Sequence, residues 1–175
     1  MKTLKLLSTG LLTLFIFASC ATVNVKTDYD TSTDFSQFKT FAFYKKGIDK
    51  AKISDLDKRR ILRAVESELK AKGMTVSSNP DILVSIFAKS KKQVNVYSNN
   101  SYWYPRYYGS YWGSHVSRYT EGTLFIDLID ANGKKLLWQG VGKGALSTSK
   151  KVEKKEARIN EFVAEIMAKY PPAKK

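Results

Sequence analysis

Hydrophobic and polar positions alternate with a period of two in five stretches of this chain and recur with a helical period in two others. In "TVNVKTDYD" Val23 and Val25 share one side, which predicts an edge strand. "FKTFAFY", residues 38 to 44, with Phe35 just upstream, predicts a second strand. "SDLDKRRILRAVESELKAKG" carries Leu56, Ile61, Leu62, Val65 and Leu69 at helical spacing. Ser54 and Asp57 stand at capping-box spacing and Gly73 is the stop, so the segment predicts an amphipathic helix. "PDILVSIFAKSKKQVNVY" predicts a long strand with Ile82, Val84 and Ile86 on one face and Leu83, Ser85 and Phe87 on the other. "YTEGTLFIDLIDANGKKLLWQGVGKGAL" supplies two more arms, with Asn132-Gly133 between them as a type I′ hairpin signal. In the first arm Leu124, Ile126 and Leu128 face one way and Phe125, Asp127 and Ile129 the other. In the second, Trp138, Gly140, Gly142, Gly144 and Leu146 fall on a single face, a glycine row that permits close packing of a helix. Finally "KVEKKEARINEFVAEIMAKYPP" presents Ile159, Phe162, Val163, Ile166, Met167 and Tyr170 as a core-facing stripe that ends at Pro171-Pro172.

The order strand, strand, helix, strand, hairpin, helix predicts an α+β fold. It is a two-layer sandwich in which a mixed, mainly antiparallel sheet of about five strands carries two helices on one face, with a right-handed crossover around the first helix. The uncovered face is expected to show Phe87, Phe125, Ile129 and Val141 among Ser85, Asp127, Gln139 and Lys143. Such a mixed face suits weak self-association or a groove, and equally an ordinary solvated sheet.

The N-terminus changes the picture of where this domain works. Lys2 and Lys5 precede an apolar run from Leu6 to Ala18 that is too short to span a bilayer and has signal-peptide form. Cys20, the single cysteine, follows Phe17-Ala18-Ser19, and this resembles a bacterial lipobox with Phe17 in place of the more usual Leu or Val. That resemblance implies removal of residues 1–19, lipidation of Cys20 and a single α+β domain over 20–175 held at a membrane with almost no linker. Ala21 and Thr22 are neither an Asp-type inner-membrane retention signal nor an acidic surface-export tract, so the resemblance implies the periplasmic face of the outer membrane.

Charge narrows the partners. The chain has 30 Lys and Arg against 16 acids, and removing Lys2 and Lys5 leaves 28, a surplus of +12. In an exported protein the matching polyanions are lipopolysaccharide, phosphorylated lipid head groups or cell-wall polymers rather than nucleic acid. The lysines are scattered, so a solubilising charge over the whole surface fits as well.

Chemistry is thinly provided. His115 is the single histidine and Cys20 the anchor, which excludes Cys-His catalysis and a thiolate or multi-histidine zinc site, and no cofactor motif occurs. "DYDTSTDF" opens like a calcium loop with Asp28, Asp30 and Ser32, but Thr33 stands where glycine is needed and Lys39 where the bidentate Glu belongs. A glycosidase pair from Asp127 and Asp130 reads more simply as a solvent-facing acid and a turn former. The glycine row is not a nucleotide loop, since no helix follows it and no Lys-Ser/Thr stands in register.

The stretch that stands out is "SYWYPRYYGSYWGSH". Seven of the eleven residues from Tyr102 to Trp112 are aromatic, and no acid occurs between Asp81 and Glu121. Its candidate binding residues are Tyr102, Trp103, Tyr104, Arg106, Tyr107, Tyr108, Tyr111, Trp112 and Arg118, with Lys89, Lys91 and Lys92 close by. Rings stack on sugar faces or settle at a membrane interface, and cations hold phosphates. The insert, residues 98–118, exceeds the roughly 12 to 15 residues of an idle loop. Length and composition leave two readings, a contact loop at a long hairpin tip or a disordered insert.

The residues also resemble a family of bacterial lipoproteins, the domain of unknown function 4136. The likeness rests on Asp28-Tyr29-Asp30 with Asp34-Phe35, "FKTFAF", "PDILV", "YTEGTLFIDLID", "LLWQGVGKG" and the closing "YPP", with Phe43 where Trp is expected. It implies an exported, membrane-anchored α/β-type domain with an aromatic insert, and it supplies neither catalytic residues nor a substrate. The expectation is therefore a non-enzymatic outer-membrane lipoprotein that binds a glycan, lipid head group or protein. A self-assembling envelope lipoprotein is the alternative, and an unrecognised hydrolase the remaining one.

Overall fold

The computed structural model of the chain describes residues 23–49, 51, 53–97, 115–147 and 149–173, with backbone alone at 94–97 and 115–118. The elements run β1 (Asn24–Tyr29), β2 (Thr40–Phe43), a short α1 (Lys45–Ile48), α2 (Asp55–Ala71), β3 (Thr75–Val76), β4 (Ile82–Tyr97), β5 (His115–Asp130), β6 (Leu136–Ala145) and α3 (Val152–Met167). The strands form one sheet in the order β1-β6-β5-β4-β2-β3. β2 runs parallel to β3 and β4, while β1, β6, β5 and β4 alternate in direction. The mixed α+β sheet expected from the order of elements is present, with six strands. The sixth, β3, is two residues long, too short to show a period.

The core lies between the sheet and the two long helices. Ile82, Val84 and Ile86 of β4, Leu124, Ile126 and Leu128 of β5 and Trp138 of β6 are buried with Ile61, Val65 and Leu69 of α2 and Phe162, Val163, Ile166 and Met167 of α3. Both helix boundaries of α2 follow the sequence signals. Ser54 accepts from the Asp57 N–H at 3.2 Å as the N-cap. At the other end Gly73 takes φ 84° while Met74 N–H donates to Leu69 C=O at 3.0 Å and Gly73 N–H to Lys70 C=O at 2.9 Å, a Schellman closure. Leu56, counted in the apolar stripe, is 59% exposed because it stands in the first turn, beyond the edge of the sheet contact.

The glycine row acts as a berth for α3. A Cβ on Gly140 would collide with Ile166 and the Trp138 ring, and one on Gly142 would lie 2.7 Å from Ile166 Cδ1. Beyond α3 the buried Tyr170 ring stands edge-on to Trp138 at 5.5 Å and to Phe35 at 5.9 Å. Asp81, of the "PDILV" run, ties β2 to the start of β4: its Oδ2 accepts from the Lys39 and Thr40 N–H groups, both at 2.8 Å, and these bonds hold its carboxyl below the usual range.

Two local expectations are corrected. The β5–β6 turn is not type I′, since Gly133 does not adopt a positive φ and Lys134 holds the left-handed position at φ 52°. The Asp130 carboxylate accepts from the Asn132 and Gly133 N–H groups and Lys134 N–H donates to Asp130 C=O, which moves the left-handed residue one place on. The second correction concerns the face opposite the long helices. Ser85, expected in the open, is only 9% exposed. α1 lies against it, and a Cβ on Gly47 would overlap Ser85 Oγ.

Candidate functional site

β4 and β5, 16 residues each, pair without interruption from Ile82↔Asp130 to Tyr97↔His115, whereas the β5–β6 pairing stops at Glu121↔Ala145. From Lys92↔Thr120 outward the two strands therefore continue without β6 as a two-stranded ribbon of six residue pairs, about 20 Å long. Its tip delivers residues 98–114. Tyr102, Trp103, Tyr104, Arg106, Tyr107, Tyr108, Tyr111 and Trp112 lie outside the described residues, as does Cys20. The expected insert of 98–118 is shorter at its C-terminal end, because residues 115–118 belong to β5. Arg118 sits within the ribbon opposite Val94, and the exposed Lys91 and Lys92 stand at its base opposite Glu121 and Thr120.

The base of the ribbon is charged on both sides. Glu121 accepts from Gln93 Nε2 at 2.9 Å and pairs with Lys143 at 3.2 Å, and these contacts hold its carboxyl low. Below it, on the face away from the long helices, Phe87 and Phe125 meet at 5.8 Å with the Lys89 ammonium 5.4 and 5.8 Å from their centroids. Phe87 is 36% exposed. The mixed face expected from the alternation is thus present over Phe87, Phe125, Val141 and Lys143, and closed by α1 at Ser85.

Asp127 lies in the next row, opposite Ser85 on β4 and Gln139 on β6. Burial raises its carboxyl above the ordinary value of 3.8, and the Gln139 Nε2 bond at 2.8 Å partly offsets this. Its partner in the supposed carboxylate pair, Asp130, spends its oxygens on the turn. His115 is twelve residues from Asp127 on the same extended strand, about 40 Å away. Asp30 is likewise engaged, ion-paired to Lys135 and accepting from Ser32, which together hold it far below the usual carboxylate range.

The raised proton affinity of Asp127 predicts a pH effect on stability. The folded chain binds this proton more tightly than the unfolded chain, so the contribution of Asp127 to stability is fully present below the unfolded value of 3.8 and is lost as pH rises through the folded value. Asp127→Asn is expected to melt higher than the native chain at pH 7, with the difference shrinking as pH falls through the raised folded value and gone by about pH 3. Thermal unfolding at both pH values checks this.

With this geometry in view, the profile of the domain of unknown function DUF4136 matches residues 25–172. The chain belongs to the DUF4136 family. The match begins inside β1 and ends just after α3, so the family domain and the sheet with its helices coincide. No match was found among curated proteins. Among solved structures, a PDZ domain protein from Parabacteroides distasonis superposes with TM-score 0.54 at 21% identity, over 87% of this chain and 37% of that one. The DUF4136 chain thus spans little more than a third of that protein. Two crystal forms of the PelC dodecamer from Paraburkholderia phytofirmans superpose with TM-score 0.50 at 10% and 12% identity, over 83% of this chain and 95% of theirs. At these identities the likeness is one of fold.

Proposed function

We propose that this DUF4136 chain is a non-enzymatic lipoprotein, anchored through a lipidated Cys20 at the periplasmic face of the outer membrane. It binds an envelope component, a glycan, lipid head group or protein, with the aromatic and basic tip of the β4–β5 ribbon. One observation carries this reading: the two longest strands outrun the rest of the sheet, and what they present is the segment richest in rings and free of acids. A fold with no use for the tip gains no core from a ribbon of this length. Val23, three residues after Cys20, is already buried against the core, which supports a domain held close to its membrane. Replacement of residues 98–114 by a short Gly-Ser turn is expected to abolish sedimentation of the purified chain with peptidoglycan and with lipopolysaccharide vesicles. Unchanged sedimentation with both removes the tip from the account.

A second reading, self-assembly, is favoured by the exposed Phe87 ring packed on the half-buried Phe125 and by the dodecameric PelC structures that share the fold. It predicts a mass that rises with concentration in light scattering and returns to that of a monomer in Phe87→Lys.

A further inference from the structure

The helix-facing side chains shrink along both central strands toward the ribbon. On β4 the series is Ile82, Val84, Ile86, Ala88 and Ser90, and on β5 it is Leu128, Ile126, Leu124 and Gly122, with Ala88 opposite Leu124 and Ser90 opposite Gly122. The N-terminal turns of α2 and α3 do not close the space this leaves. The result is a cleft of about 210 Å³ walled by Ile61, Ala88, Leu124, Leu146, Ile159 and Phe162. Leu146 reaches over Gly122, where a Cβ would collide with it, and remains 38% exposed at the mouth.

The walls and the rim define different ends of a ligand. The walls are mainly aliphatic with one phenylalanine, bordered also by Ser90, Thr123, Ser147 and Lys89, and the single buried side-chain polar atom without a partner among the described residues, Trp138 Nε1, lies elsewhere. The rim carries Asp57, Lys155 and Arg158. Asp57 is shared among Ser54, Arg60 at 2.8 Å and Lys155 at 3.1 Å, so its negative charge is more than matched. Arg158 donates to Ala145 C=O at 2.8 Å, pairs with Glu161 at 2.7 Å and lies over the Phe162 ring at 4.6 Å, which fixes its charge at the mouth. Lys155 is 48% exposed and can turn toward an incoming anion.

The volume selects among anionic amphiphiles. It exceeds the roughly 150 Å³ of an apolar cavity that accepts a benzene ring and falls short of the roughly 300 to 1,000 Å³ of ordinary small-molecule sites. The cleft takes the distal part of one flexible chain, and its mainly apolar wall leaves the hydroxyls of a sugar without partners. We propose that this cleft binds the acyl chain of a medium-length fatty acid, with its carboxylate at Lys155. The site lies on the helix-covered face, away from the ribbon tip, and does not depend on lipidation of Cys20.

The test uses the chain from Ala21 onward, which retains every residue of the described core, titrated with laurate and, as an uncharged twin, dodecyl maltoside. Saturable single-site binding of laurate is expected, with methyl NMR shifts in the native chain at Leu124, Leu146 and Ile159. Ala88→Leu, which fills the cleft, should weaken both ligands about tenfold or more. Lys155→Gln should weaken laurate about threefold and leave dodecyl maltoside unchanged. Absence of saturable binding, equal affinity in a folded Ala88→Leu chain, or native-chain shifts confined to other methyl groups would overturn the proposal. The NMR readout on the native chain decides the matter if Ala88→Leu does not fold.

Discussion

Replacing Gly140 with valine is expected to cost this fold about 3 kcal/mol, the upper end of the range for overpacking a core. Gly140 lies on the helix face of β6, where even a Cβ would collide with Ile166 of α3 and with the ring of Trp138, and both neighbours are fully buried. Neither can retreat cheaply. Trp138 is held edge-on by Tyr170, and Ile166 sits in the middle of the buried stripe of α3. A β-branched side chain must therefore lift the helix off the sheet, which opens the contacts of Phe162, Val163 and Met167 as well. Urea denaturation checks this as a lowered midpoint at unchanged slope. Gly142→Val is expected to cost less, because the atoms its Cβ would meet, Ile166 Cδ1 and Cγ1 at 2.7 and 2.8 Å, lie farther off than those at Gly140 and do not include the Trp138 ring. A Gly140→Val chain as stable as the native one would mean that α3 does not rest on the glycine row.

Cys20→Ala, placed behind a signal peptide whose cleavage does not need a lipidated cysteine, is expected to shift the chain wholly out of the washed membrane fraction. An acylated cysteine carrying two or more chains holds a protein far more firmly than a single chain does, and among the described residues no helix is long and apolar enough to cross a membrane. Two residues separate Cys20, the proposed anchor, from the buried Val23 in sequence. Fractionation of cells expressing either chain, with salt and carbonate washes to strip charge-bound protein, measures the effect. Retention of Cys20→Ala in the carbonate-washed membranes would show that something other than the lipid holds it.

Much of this architecture was legible because period and boundary signals agreed. The stripe of α2 is bracketed by Ser54 and Gly73, both of which do what their positions require. The alternation in β4 and β5 states which side chains meet the helices, and the structure places Ile82, Val84, Ile86, Leu124, Ile126 and Leu128 there. What escaped was set by contacts distant in sequence or by single side chains. α1 is one turn long and is held by the fit of Gly47 against Ser85, which no period announces. The β5–β6 turn was misread because Asp130, ahead of Asn132-Gly133, captures the turn N–H groups with its own carboxylate. β5 starts at His115 although residues 115–118 lack an apolar alternation, since backbone pairing with β4 alone carries the ribbon. The acyl cleft was hidden for a different reason: the shrinking of side chains on each strand is visible in the sequence, but it makes a cavity only once the register sets Ala88 beside Leu124 and Ser90 beside Gly122.

The central proposal is that the ribbon tip, and not a catalytic group, is the working end of this DUF4136 chain. It is tested most directly in intact envelopes by cross-linking cells that produce either the native chain or one with residues 98–114 replaced by a Gly-Ser turn, at equal membrane levels. The account predicts that the cross-linked envelope species of the native chain disappear in the replacement while anchoring and thermal stability are unchanged. Recovery of the same species from both chains would contradict it.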